Sequence, residues 1–416
     1  MCKLFFKMYR SILPKYNATV TIMLTVLGIL VVTMLTLQQV VSTKTVISYS
    51  VYNNEATQYQ LTSAPVKAGS PILPPAPGPR KQFSDFFYVS DIERTRFGEF
   101  IWFWAWDTLS GPLWSNDSLP VHTGAVFCDS VWVRRITPPG SGTFHRGYIE
   151  TNTRMRWSRY AYEIRNAARS SNGHYFENPG NTRTTALMFH GFVADVWQWE
   201  SGTQSPFIIE PPTNAISWNL QPSAIFVEGD LWVQGSVTGN LAIGASGIIR
   251  LMDNLVYSDA ATWPYLVPAN SPNYLTVVSE ATTSGQADEA PRGIIISNTW
   301  ENGREDAGNH FVIGTSQRRR DIAIHGVYIA LNGSISIQQQ NDNLGYDPYI
   351  YRCSNHGYDE RGFIYLCGSI AYKKRDYVHR GNTATTGIRT GYLKSYRYDQ
   401  RFRTNAPPFQ PAISFR

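Results

Sequence analysis

The longest apolar run in the chain is ATVTIMLTVLGILVVTMLTL, residues 18 to 37, without a charge or a proline. At about 1.5 Å per residue, a helix of this length spans the roughly 30 Å hydrocarbon core of a bilayer. Lys3, Lys7, Arg10 and Lys15 precede the run and no acid does. That asymmetry holds an N-terminus in the cytoplasm. The pattern predicts a cytoplasmic basic tail over 1–17, a transmembrane helix over 18–41, and an exported remainder. A cleaved signal peptide would show the same charge order. Its apolar region is shorter, roughly 7–15 residues, and ends at small residues, whereas Val40-Val41-Ser42 is a poor cleavage site. A buried core helix would seldom carry such lopsided flanks.

Beyond the anchor, residues 42–63 contain neither Gly nor Pro and read as a helical stalk continuing outward. Their β-branched residues favour a helix only weakly. Residues 64–81 follow, and the sixteen from Ala64 to Pro79, APVKAGSPILPPAPGP, hold six prolines. This composition predicts a stiff, extended linker. The body is placed at 82–416, about 340 residues, enough for one large domain or two ordinary ones.

Within the body, short apolar runs alternate with turn residues, the signature of a mainly β fold. Residues 224–257 show it most clearly, with Phe226 or Val227, Leu231, Val233, Val237, Leu241, Ile243, Ile248 or Ile249, and Leu251 separated by polar or small residues. Gly229, Gly235, Gly239, Gly244 and Gly247 are assigned to the turns. Strands of this kind stack into short parallel rungs, a right-handed solenoid pattern. It returns in 322–337 and 363–371, and the tripeptides Gly235-Ser236-Val237, Gly333-Ser334-Ile335 and Gly368-Ser369-Ile370 mark the three stretches. The expectation is an irregular right-handed β-helix interrupted by insertions. An ordinary antiparallel sandwich is the competing reading. One short helix is predicted over Ser158–Ser170, with Tyr160, Ile164, Ala167 and Ala168 on one face and Gly173 ending it.

Composition adds a location. Aromatic residues make up 13% of the chain and charged residues only 16%, the surface style of an extracellular β protein. Of the formal charge of +6, four units belong to the N-terminal tail, so the body is mildly basic. Arg318-Arg319-Arg320 and Lys373-Lys374-Arg375 read as solvated loops, with anionic glycan, lipid or nucleic acid as the alternative contacts. Of the four cysteines, Cys2 is cytoplasmic, Cys128 is single, and Cys353 and Cys367 are close enough in sequence to pair in an oxidising compartment.

Chemical motifs are sparse. There is no HExxH, no Walker lysine loop and no GxSxG elbow. The eight histidines, at 122, 145, 174, 190, 310, 325, 356 and 379, are scattered. Asp91, Glu93, Asp107 and Asp117 cluster in sequence and are the residues a carbohydrate-active enzyme would draw on, since glycosidic chemistry needs paired carboxylates. The competing reading has Asp107 and Asn116-Asp117 capping turns, with Asp253, Asp259 and Asp399 as further turn residues. No loop shows a recognisable calcium spacing. Trp102, Trp104 and Trp106 would share one face of a strand, to stack on sugar rings or to fill a core. No catalytic, cofactor or metal residue is assigned.

Four stretches carry a resemblance. They are VSTKTVISYSVYNNEA after the membrane helix; FSDFFYVSDIE with DTLSGPLWSND and VFCDSV; AIFVEGDLWVQGSVTGNLAIGASGIIRLMDNLVYSDA; and the closing GYLKSYRYDQRFRTNAPPFQPA. Together they resemble uncharacterised bacterial proteins that accompany type IV pilus and pseudopilin systems. The resemblance implies a β-rich, partly β-helical exported body on a pilin-like N-terminal helix in the bacterial inner membrane. The expected partners are the lipid bilayer, through 18–41, pilus or pseudopilus subunits, and a surface glycan; nucleic acid is not expected. Prepilins carry a Gly before the apolar helix and a Glu five residues into it, whereas this chain has Asn17 and Ala18 at the junction and no acid in the run. An uncleaved, minor pilin-like accessory subunit of structural or adhesive role fits that departure. The alternative is a cell-surface polysaccharide lyase or hydrolase.

Overall fold

The computed structural model describes residues 82–94, 98, 100–105, 107–207, 209–261, 265–282, 292–296, 321–337, 358–382 and 388–416. The chain divides into two compact units, Met1–Ala64 and Pro65–Arg416, and every described residue belongs to the second. The predicted tail, transmembrane helix, stalk and linker therefore lie outside the described residues. Among the described residues no helix is long and apolar enough to cross a membrane.

Among its described residues the second unit is mainly β, with one α-helix and no closed barrel. Its strands pair almost entirely in parallel, and they form ladders. The first ladder can be followed residue by residue through ten strands. Ile225 pairs with His174 on one side and Ile243 on the other. The column continues through Val277, Tyr328, Ile370, Tyr88, Leu113, Val131 and Tyr148. Chain order and stacking order differ. Strands Tyr88–Ile92, Leu113–Ser115, Val131–Val133 and Tyr148–Glu150 lie beyond Tyr358–Lys374, so the start of the body is stacked against its C-terminal part. Parallel pairing at this scale excludes the antiparallel sandwich. Among the described residues, antiparallel strand pairs occur in the hairpins around Arg183–Gly191, Val193–Glu200 and Asn214–Ser217, in His379–Asn382 with Ile388–Tyr398, and in Met155–Trp157 with Ile413–Phe415, with one isolated antiparallel bridge between Arg94 and Phe100.

Single strands pass from one ladder to the next. In Ile249–Tyr257, Ile249 to Leu251 pair with Ile294 to Ile296, while Leu255 pairs with Ile324. In Ile322–Ala330, the residues before Gly326 join that same ladder, and those after it join the first. Gly326 makes the bend with φ +115°, and a Cβ there would lie 2.5 Å from the Leu275 carbonyl oxygen. Only glycine tolerates both conditions. Where no insertion intervenes, a residue pairs with one 17 or 18 positions onward, as in Leu231↔Ile249, Leu113↔Val131 and Val131↔Tyr148.

The stretch 224–257 contains four strands, Ser223–Val227, Asp230–Val237, Asn240–Ala245 and Ile249–Tyr257. Leu231, Val233, Val237, Leu241, Ile243, Ile249 and Leu251 are all fully buried, as their spacing predicts. The glycine assignment needs correction. Gly235 and Gly244 lie inside strands, because there a Cβ would collide with the Phe189 backbone and the Phe226 ring of adjacent strands. The ladders also reach much further than the three short stretches, into 88–150, where two- and three-residue strands leave too little sequence to show a period.

The first ladder is covered on its outer face as well. After Tyr148–Glu150 the chain turns back and runs across the rungs through Met155–Trp157 to the helix Tyr162–Ala168. Met155 binds Asn116, Trp157 reaches Leu331, and Ala161 binds Glu280. Ile164 packs near Gly244, and the Arg165 guanidinium lies 4.0 Å from the Phe226 ring centroid. Burial on both faces explains why Ser223–Val227 and Ile322–Ala330 read as continuous apolar runs rather than alternating ones. The helix is shorter than predicted. Ile164 and Ala168 face inward, but Tyr160 precedes the helix and is exposed.

Candidate functional site

Tyr88–Ile92 is the strand that positions most of the charged side chains. Asp91 points outward, toward the crossing segment, whereas Glu93, two residues on and past the strand's end, breaks the alternation and turns inward against Tyr88 and Ser90. Asp91 Oδ1 accepts from Asn116 Nδ2 at 2.8 Å and Arg154 Nη2 at 2.9 Å, and Oδ2 takes the Lys373 ammonium at 2.5 Å. Burial acts to raise the Asp91 pKa, but the hydrogen bonds from Lys373, Asn116 and Arg154 outweigh it and hold the carboxyl below its ordinary value. Asp91 is therefore a fixed anion.

Around it lies a cavity of about 280 Å³ lined by Asp91, Arg154, Met155, Arg156, Trp157 and Lys373. Arg156 in the short strand and Arg154 just before it flank Met155 and are exposed, while Met155 is the buried residue of the three. Trp157 is fixed at its edge by the Nε1 bond to Leu331 O (3.0 Å) and by Phe83, whose ring centroid is 5.6 Å away. The Lys373 ammonium sits 5.4 Å from the indole centroid.

The four carboxylates picked out by sequence do not converge. Glu93 is fully buried, with Oε2 3.0 Å from Arg375 Nη1 and Oε1 accepting from Tyr88 Oη at 2.7 Å. Arg375 also donates to Ile101 O at 2.7 Å, and its guanidinium stacks 3.8 Å from the Phe103 centroid. Asp107 pairs with Lys394 at 2.5 Å and accepts from Trp104 N at 2.9 Å. Asp117 accepts from Ser118 N at 2.7 Å and Glu93 N at 3.2 Å. The bonds from Trp104 N and Ser118 N are the local capping roles the turn reading gave Asp107 and Asp117; the bond from Glu93 N is not local, and Asn116, read with them as a turn cap, instead binds Met155 across the fold. Asp399 similarly accepts from Arg401 N, and Asp259 ties Ser271 and Asn273 across its loop. Asp253 departs from its assignment, lying inside the strand Ile249–Tyr257.

Of the tryptophan triplet, Trp102 is half-buried and Trp104 is exposed with its ring 5.4 Å from that of His122, neither lies in a strand, and Trp106 lies outside the described residues; Phe103 between them fills the core. His325 is fully buried. Its Nδ1 accepts from Tyr257 N and its Nε2 faces Tyr265 O, both at 3.1 Å, and burial pushes its pKa down to about 4. His310 and His356 lie outside the described residues. Cys367 is a free thiol, pushed up to about 12 by burial, and Cys353 lies outside the described residues. Cys128 is free and half-buried. No group of three or more His, Cys, Asp or Glu among the described residues is arranged to hold a metal ion.

Sequence reasoning missed Arg154, Arg156 and Trp157 as members of a site. Nothing local marks them, because their partners Asp91 and Lys373 are remote in the chain. Comparison with protein-family models, with curated proteins and with solved structures finds no match to this chain.

Proposed function

We propose that this chain is a membrane-anchored, extracytoplasmic structural or adhesive protein, an accessory and minor pilin-like component of a type IV pilus or related export system. The anchor is the transmembrane helix 18–41, and the body is an irregular right-handed β-solenoid. The parallel ladders support a solenoid, and right-handed winding is the usual hand of parallel crossovers, about 98% of cases. The observation that carries the structural role is the use made of the charged groups. Glu93, Asp107 and Asp91 are each neutralised by a fixed cation. Glycoside hydrolysis by the usual route draws on two carboxylates of unlike pKa flanking one bond. Here the carboxylates fasten rungs to one another instead. The pilus assignment rests on the four resembling stretches and on the basic residues before the apolar run. The test is extraction. Membranes from cells making the full chain should release it into non-ionic detergent and retain it through alkaline carbonate and high salt. Deleting 18–41 should leave the body soluble. A full-length chain released by salt alone would refute the anchor.

A further inference from the structure

The geometry points to a binding site for an acidic polysaccharide of uronic-acid type, in the cavity at Asp91 and along the chain segment that leaves it. The cavity, about 280 Å³, is at the small end of ligand pockets and suits one sugar ring. Its walls hold three cations, Arg154, Arg156 and Lys373, against one carboxylate, so it favours an anion. Arg156 in the strand Met155–Trp157 and Arg154 just before it are both exposed on either side of the buried Met155, placed to meet a carboxylate with planar, paired donors.

Asp91 narrows the class. It accepts three hydrogen bonds, from Asn116, Arg154 and Lys373, out of the roughly four a carboxylate can take. One acceptor position remains for a ligand hydroxyl. A ring bearing both hydroxyls and a carboxylate satisfies cations and anion together. A phosphodiester backbone offers only acceptors and would meet Asp91 as a repulsion.

The segment continues from the cavity with Arg159, Tyr160 and Tyr162, all exposed. The two tyrosines are 50% and 55% exposed, far more than aromatic rings in a β-rich body usually are, and their centroids lie 5.6 Å apart. Exposed tyrosine faces stack on pyranose rings while the hydroxyl stays wet. A polymer with one uronate in the cavity would lay its neighbouring units over these rings.

This deepens the adhesive reading and rests on it, but the two fail separately. The test uses full-length protein in non-ionic detergent at low salt, titrated calorimetrically with a galacturonic-acid oligomer. The same oligomer with its carboxyls reduced to alcohols, and a single-stranded DNA, serve as competitors in class. The uronate oligomer should bind, and the reduced oligomer should bind at least about tenfold more weakly. Arg156→Glu and Tyr162→Ala should each weaken uronate binding at least about tenfold without moving the melting temperature. Absence of uronate binding, equal binding of the reduced oligomer, tighter binding of DNA, or full affinity in Arg156→Glu would each overturn the inference. None of these results touches the membrane anchor, which carbonate extraction tests.

Discussion

Asn116 holds both backbone groups of Met155: its Oδ1 accepts from Met155 N at 2.8 Å and its Nδ2 donates to Met155 O at 2.7 Å. A side-chain amide thereby imitates a strand residue and stitches the crossing segment to the edge of a rung. The same Nδ2 reaches Asp91 Oδ1, so one residue joins the crossing segment to the cavity's anion.

Asn116→Ala should leave a buried donor and a buried acceptor on Met155 unpaired, costing about 2–4 kcal/mol. Asn116→Asp should cost more, since it removes the donor and sets a second carboxylate beside Asp91. Urea denaturation of the two variants and the parent gives the order. A parent-like Asn116→Asp would show that the crossing segment is not held at this point.

The Glu93–Arg375 pair lies between the start of the body and its C-terminal part, both side chains removed from water. Arg375→Met alone should cost about 3–5 kcal/mol, because Glu93 is left buried without a counter-charge. Adding Glu93→Gln to it should recover part of that loss. Thermal melts of the single and double variants measure the coupling, and simple additivity would mean that the two residues do not share an environment.

His325 makes stability depend on pH. Its folded pKa of about 4 lies below the ordinary value of 6.5, because burial disfavours the charged ring. The unfolded chain therefore takes up a proton first as pH falls. The stabilising effect of the neutral ring is complete above pH 6.5 and is lost progressively between 6.5 and 4, by on the order of 3 kcal/mol. His325→Gln should melt lower than the parent at pH 7 and close much of that gap by pH 5. Parallel melting curves for the two proteins across this range would place His325 in contact with water.

Much of the β body was legible in the sequence, and the reason is periodicity. Where strands are long and one face is covered, as in Asp230–Val237, alternation survives and the inward residues are readable. Two things hid the rest. The crossing segment buries the outer face of the first ladder, which erases alternation in Ser223–Val227, and Ile322–Ala330, which passes between ladders, is buried along its whole length. The rungs from Leu113 to Glu150 are two or three residues long, shorter than a detectable period. The cavity was illegible for a different cause. Asp91 meets Arg154 and Lys373 only because the body's first strand stacks on Tyr358–Lys374, a closure between remote parts of the chain. The capping roles of Asp107 and Asp117 are local, and they were readable.

An exported body behind a retained anchor is tested most directly by protease added to spheroplasts. Digestion of the body, with a membrane-embedded fragment carrying Lys3, Lys7, Arg10 and Lys15 left intact, is the predicted result. A body that survives until the inner membrane is lysed would contradict it.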